Sequence, residues 1–110
     1  MSSAEAAERI QATVGSVVQC VHMAWPEGSA PELPWAVWYV DEERGFCSDD
    51  SKGPRETWWC VELYERSCDY DLHDELEDAI EDVYGPCKKA ESWLSDEDAV
   101  ATVFTFKEIG

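Results

Sequence analysis

Positive charge is scarce in this chain. Eight Lys and Arg stand against 25 Asp and Glu in 110 residues, a formal net charge of −17. A surface of that sign repels phosphate, which excludes tight nucleic-acid binding through backbone contacts. Long apolar runs are missing as well: none approaches the roughly 18 residues that a membrane helix needs. The first 15 residues, MSSAEAAERIQATVG, carry acids and no apolar core, so no secretory signal is expected. The five cysteines (Cys20, Cys47, Cys60, Cys68 and Cys87) form no CxxC, and their number is odd. Reduced thiols of an intracellular protein are therefore expected.

Recognisable catalytic patterns are also lacking. There is no GxSxG, no P-loop and no dinucleotide fingerprint. His22 and His73 are the only imidazoles. His22 lies beside Met23 in a strand-like stretch and reads as structural. His73 begins HDELE, which fails the HExxH zinc pattern because its fifth residue is Glu77. Asp69-Tyr70-Asp71 opens like a calcium loop, but His73 and Asp74 replace the required acid and glycine. A carboxylate pair such as Asp49 and Asp50 is expected by chance among so many acids. We read no active site, no cofactor and no metal, and expect the chain not to be an enzyme.

What is present is a strand followed by a helix, in residues 57–85. One parity of TWWCVELYE carries Trp59, Val61 and Leu63; the other carries Trp58, Cys60, Glu62 and Tyr64. Aromatic and β-branched residues at period two suit a half-buried pleated surface. The following helix aligns Leu72, Leu76, Ile80, Val83 and Tyr84. Asp69 or Asp71 can cap its start, Gly85 can take the αL position past its end, and Pro86 prevents continuation. Eight carboxylates and no base lie between Asp69 and Asp82. Like charges at i, i+4, such as Asp74/Asp78 and Glu77/Glu81, each cost about 0.2–0.5 kcal/mol. Helix stability alone does not explain that face. It is either a solubilising surface or one that repels or imitates polyanions.

Around this unit, Ser2-x-x-Glu5 reads as a capping box for a helix from Ser3 to about Val14. A first strand is expected over 16–24, a turn at Trp25-Pro26-Glu27-Gly28, and a second strand over 35–41. Residues 42–56 read as a polar loop, of a length that is either functional or mobile. Strands over 87–94 and 99–107 form a closing hairpin. The expectation is one α+β domain over residues 1–110. It has two helices and a single, mainly antiparallel sheet of about five strands, in the order αβββαββ.

Six tryptophans are many for this length. The second strand is apolar on both parities, and two short helices cannot easily cover both faces of five strands. An uncovered aromatic face is usually a partner surface. The candidate interface residues are Trp35, Trp38, Tyr39, Phe46, Trp58 and Tyr64.

Several motifs also fall in a meaningful order. HMAWPEG (22–28) gives an aromatic-Pro-Glu-Gly turn after the first strand. Leu33-Pro34-Trp35 leads into Val37-Trp38-Tyr39, and Phe46-Cys47-Ser48-Asp49 sits in the long loop. Glu62-Leu63-Tyr64 closes the central strand ahead of the acidic helix. Lys89-Ala90-Glu91, Trp93-Leu94 and Val103-Phe104-Thr105-Phe106 fit the closing hairpin. From about Val14 onward the chain resembles the small tail-completion proteins (tail terminators, minor capsid proteins) of long-tailed phages and prophages of Gram-positive bacteria. It departs from them in Trp58-Trp59, in its cysteines and in the insert-like SKGPRET (51–57).

That resemblance implies a virion structural protein of the tail, assembled in the host cytoplasm. Such proteins form a ring, usually of six subunits, that caps the tail tube and meets the head–tail connector. The implied partners are further copies of the chain, the tail-tube protein and a connector protein, with no membrane and no tight nucleic-acid binding. Asp74, Glu77, Asp78 and Glu81 become candidates for an acidic face lining the DNA channel. The alternatives are a neighbouring head–tail joining protein, a DNA-mimicking inhibitor of a DNA-handling enzyme, and an acidic adaptor for one host protein.

Overall fold

The computed structural model describes residues 3–45 and 55–109. Two helices lie on one side of a five-stranded sheet. The elements are α1 (Ser3–Gly15), β1 (Cys20–His22), β2 (Trp35–Gly45), β3 (Arg55–Glu65), α2 (Tyr70–Tyr84), β4 (Lys88–Leu94) and β5 (Ala99–Ile109). Across the sheet the strands run β1-β2-β3-β5-β4. All neighbours are antiparallel except β1 and β2. The α+β expectation and its element order hold. The crossover from β3 through α2 to β4 leaves room for β5 between them, a split β-α-β arrangement.

Alternation decides which side is buried. Ala36 and Trp38 of β2, Trp59, Val61 and Leu63 of β3, and Phe104 and Phe106 of β5 point toward the helices. Ile10 and Val14 of α1 and Leu76 and Ile80 of α2 complete that core, all four fully buried. Burying each such side chain stabilises the fold by about 1.5–3 kcal/mol. Arg9 fastens the two helices: its guanidinium donates to the Val83 carbonyl at 3.2 Å and lies over the Tyr84 ring. A Glu108 carboxylate oxygen of β5 lies 3.6 Å from the same guanidinium.

Helix α2 begins as its sequence dictates. Asp69 is the cap, and its Oδ1 accepts the backbone N–H of Asp71 at 3.1 Å and of Leu72 at 3.2 Å. Such a cap contributes about 1 kcal/mol. Gly85 ends the helix at φ 89°, ψ −161°. This is the extended, glycine-only region of positive φ, not the αL conformation expected from sequence.

Several boundaries differ from expectation. The first strand shrinks to three residues, because Val17 and Val18 both donate back to the Val14 carbonyl and close α1 instead. β2 and β3 extend through 42–45 and 55–56, since pairing continues from Glu42↔Trp58 to Gly45↔Arg55 across a bulge. β5 likewise runs two residues past Lys107, to Ile109. On α2, Val83 is 37% exposed while His73 is fully buried. The buried stripe is therefore His73, Leu76 and Ile80. The anticipated partner of Glu5, Ser2, lies outside the described residues.

Candidate functional site

The face of the sheet away from the helices is the first candidate. Trp35, Val37 and Tyr39 of β2 lie on it, beside Trp58, Cys60, Glu62 and Tyr64 of β3. Val103, Thr105 and Lys107 of β5 continue the same face. Among the described residues no helix or second sheet covers it. At its centre the Glu62 carboxylate accepts two phenols, the Tyr39 hydroxyl on Oε2 at 2.6 Å and the Tyr64 hydroxyl on Oε1 at 2.5 Å. The Trp35 and Tyr64 rings lie 4.8 Å apart, and Trp25 meets Trp35 edge-on at 6.0 Å. Lys107 Nζ sits 5.9 Å from the centre of the Trp58 ring. Val37 and Cys60 are buried beneath these side chains.

Electrostatics keep this network in one protonation state. The hydrogen bond with Cys60, then that to Glu62, pushes the Tyr39 phenol well above its ordinary range. Burial, then the bond to Glu62, does the same for Tyr64. Both hydroxyls remain donors at any physiological pH. The result is an aromatic surface whose polar centre is already satisfied, the composition that protein interfaces favour.

Of the predicted interface residues, Trp35, Tyr39, Trp58 and Tyr64 come together on this face. Trp38 does not. It faces the helices at 4% exposure and belongs to the core. There its indole Nε1 donates to Gln11 Oε1 at 2.6 Å, and its ring stacks on His22 at 4.4 Å. That contact gives His22 the structural role expected of it. Phe46 lies outside the described residues.

The acidic candidates stand on the opposite side of the molecule. Asp74, Asp78 and Glu81 are exposed on α2. Glu77 is turned toward β4, its Oε2 3.3 Å from Lys89 Nζ. The aromatic sheet face and the acidic helix face are thus back to back, with the core between them.

A third cluster escaped the sequence reading. His73 and Glu65 are both buried, and the imidazole Nε2 meets Glu65 Oε1 in a short contact. Glu65 Oε2 also accepts the Asp69 backbone N–H at 3.1 Å. On the other side of the ring, Nδ1 lies 3.9 Å from Glu91 Oε1 of β4. The Cys68 thiol and the Tyr70 hydroxyl approach Glu91 Oε2 at 3.9 and 3.4 Å. Cysteine, histidine and carboxylate are the ingredients of a thiol catalyst, but the arrangement is wrong for one. The thiol faces a carboxylate instead of the imidazole, and desolvation followed by the Glu91 charge raises its pKa. A nucleophilic thiol needs the opposite shift. Among the described residues no three His, Cys, Asp or Glu side chains are placed to hold a metal ion. The cluster instead ties the end of β3, the start of α2 and β4 together. Its signal in the sequence is a histidine three and seven residues before Leu76 and Ile80, at a core position.

A cleft of about 290 Å³ between α1, α2 and β5 is lined by Arg9, Val83, Tyr84, Lys107 and Glu108. The ion pair of Arg9 with Glu108 spans it, so its polar groups serve packing. No helix among the described residues is long and apolar enough to cross a membrane.

No protein-family model and no curated protein matches the chain. Among solved structures it is similar to a chain of the virion of a native gene transfer agent particle, with 14% identity and a TM-score of 0.46. The match covers 92% of this chain and 84% of that one. A likeness that loose carries no argument about function.

Proposed function

We propose that this chain is a structural subunit of a phage-type virion: a tail terminator that closes into a ring at the head-proximal end of the tail. The observation that carries the reading is the uncovered aromatic face. Trp35, Tyr39, Trp58 and Tyr64 surround a carboxylate whose hydrogen bonds are already made, so a neighbour can bury the face without stranding a charge. The resemblance to tail-completion proteins supports the same reading, and the fold gives its Glu-Leu-Tyr motif a physical sense. Glu62 and Tyr64 form the polar centre of the open face, while Leu63 between them is buried in the core.

The back-to-back arrangement suits a ring subunit. One side packs on protein while Asp74, Asp78 and Glu81 on the other repel DNA in transit. The role so read is structural and not enzymatic, with further copies, tail tube and connector as partners. The subunit is made in the host cytoplasm and ends in the virion tail.

Absolute mass by light scattering on a sizing column, with and without tail tubes from the same phage or prophage, tests this. A discrete ring-sized species, six copies being the expected number, supports the terminator. A chain that stays monomeric and ignores the tubes overturns it. Capture by connector protein but not by tubes would instead mark a head–tail joining protein.

A further inference from the structure

Among the described residues the sheet has two open edges, and they differ in charge. At one end β4 (Lys88–Leu94) has no outer neighbour among the described strands, and six of its seven residues are exposed. At the other end β1 pairs with β2 only at Cys20↔Ala36, Val21↔Val37 and His22↔Trp38. Met23 then takes φ 69° and leads the chain off the sheet. Residues 39–45 of β2 keep β3 on one side and, among the described residues, no strand on the other. The open stretch of β2 is thus as long as β4. It carries Asp41, Glu42 and Glu43 against one Arg44, while β4 carries Lys88 and Lys89 against one Glu91. In a chain with eight bases and 25 acids, two adjacent lysines on an open edge are a local exception.

We infer that β4 of one copy pairs with the open stretch of β2 in the next copy, joining the subunits edge to edge. The inference rests on the ring-forming reading above and adds how the ring is joined. Strand direction allows it: β4 runs opposite to β2, so continuing the sheet into a neighbouring copy makes the new pair antiparallel. Strands so paired lie about 4.8 Å apart, close enough for Lys88 to meet the acidic stretch. The contact is head-to-tail, because two different edges meet, and a head-to-tail contact generates a ring when its rotation closes. Charged edges ordinarily prevent pairing between copies. Here Lys88 guards β4 only against a basic strand, and an acidic one attracts it. The exposed side chains of Trp93 and Met23 lie near these two edges, at 57% and 62% exposure, available for burial at the junction.

The test uses two charge-inverted chains, Lys88→Glu and Glu42→Lys/Glu43→Lys. Lys89 is left alone because it pairs with Glu77 within its own subunit. Circular dichroism and thermal melting first establish that each variant folds. Each alone is expected to lose the ring-sized species. An equimolar mixture is expected to regain it, because the acidic β4 of one variant meets the basic β2 of the other. Two folded variants that each assemble like the parent overturn edge pairing and leave the ring intact. A folded parent that forms no ring even on tail tubes overturns the ring itself. Variants that each fail and do not rescue one another also overturn the edge pairing.

Discussion

The Tyr39 hydroxyl donates to Glu62 Oε2 at 2.6 Å, diagonally across the β2–β3 pairing, while Tyr64 takes the other carboxylate oxygen. Replacing Glu62 by Ala removes the acceptor of two half-buried phenols. We expect a loss of about 1–3 kcal/mol in urea unfolding. Glu62→Gln keeps one acceptor oxygen and should lose less.

Alkaline pH should unfold the protein early. Burial, then the charges of Glu77 and Glu81, pushes the Cys87 thiol up to about 11. Burial, then Glu108, pushes Tyr84 up to about 12. Between the unfolded and folded values the unfolded chain has released a proton that the folded chain keeps, so stability falls as pH rises. This contribution is complete below about pH 8.5, the ordinary thiol value. It drains away between there and about pH 12 in the folded state. Melting temperatures across pH 8 to 11 should decline steadily.

The His73–Glu65 pair can be tested by a cycle. His73→Ala leaves a buried carboxylate without its partner and should cost about 3–5 kcal/mol. Replacing both residues by Leu removes the charge as well as the partner, so much of that loss should return. Equal destabilisation of the single and double variants would show that packing alone decides the site.

Gly85 offers a local test. A Cβ there meets no atom within 4 Å, so Gly85→Ala carries a conformational cost alone. At φ 89°, ψ −161° that cost should be about 1–3 kcal/mol. Asp69→Ala at the other end of α2 should cost about 1 kcal/mol through the lost cap. The two should add, being at opposite ends of one helix.

Much of this fold was legible because local chemistry and tertiary packing agree. Residues 57–65 alternate, Asp69 caps, and Leu76 and Ile80 face the core as their spacing requires. Legibility fails where a partner decides. Glu42 to Gly45 show no apolar alternation, and only their pairing with 55–58 makes them strand. Trp35 and Trp38 look alike in a strand apolar on both parities, and the position of α1 alone makes one core and the other surface. His73 is polar by type but sits in the core because Glu65, eight residues earlier, supplies its partner. The parallel β1–β2 pair and the placement of β5 leave no mark on local periodicity.

That placement of β5 sets an order of events during synthesis. β3, α2 and β4 leave the ribosome before the strand that belongs between β3 and β4. Until β5 arrives, β4 has no neighbour in the sheet, and Phe104 and Phe106 are absent from the core. A nascent chain therefore cannot offer β4 as an ordered edge to another copy before its own core is closed. For the proposed ring, this places the completion of folding ahead of edge pairing, with the timing written into the strand order.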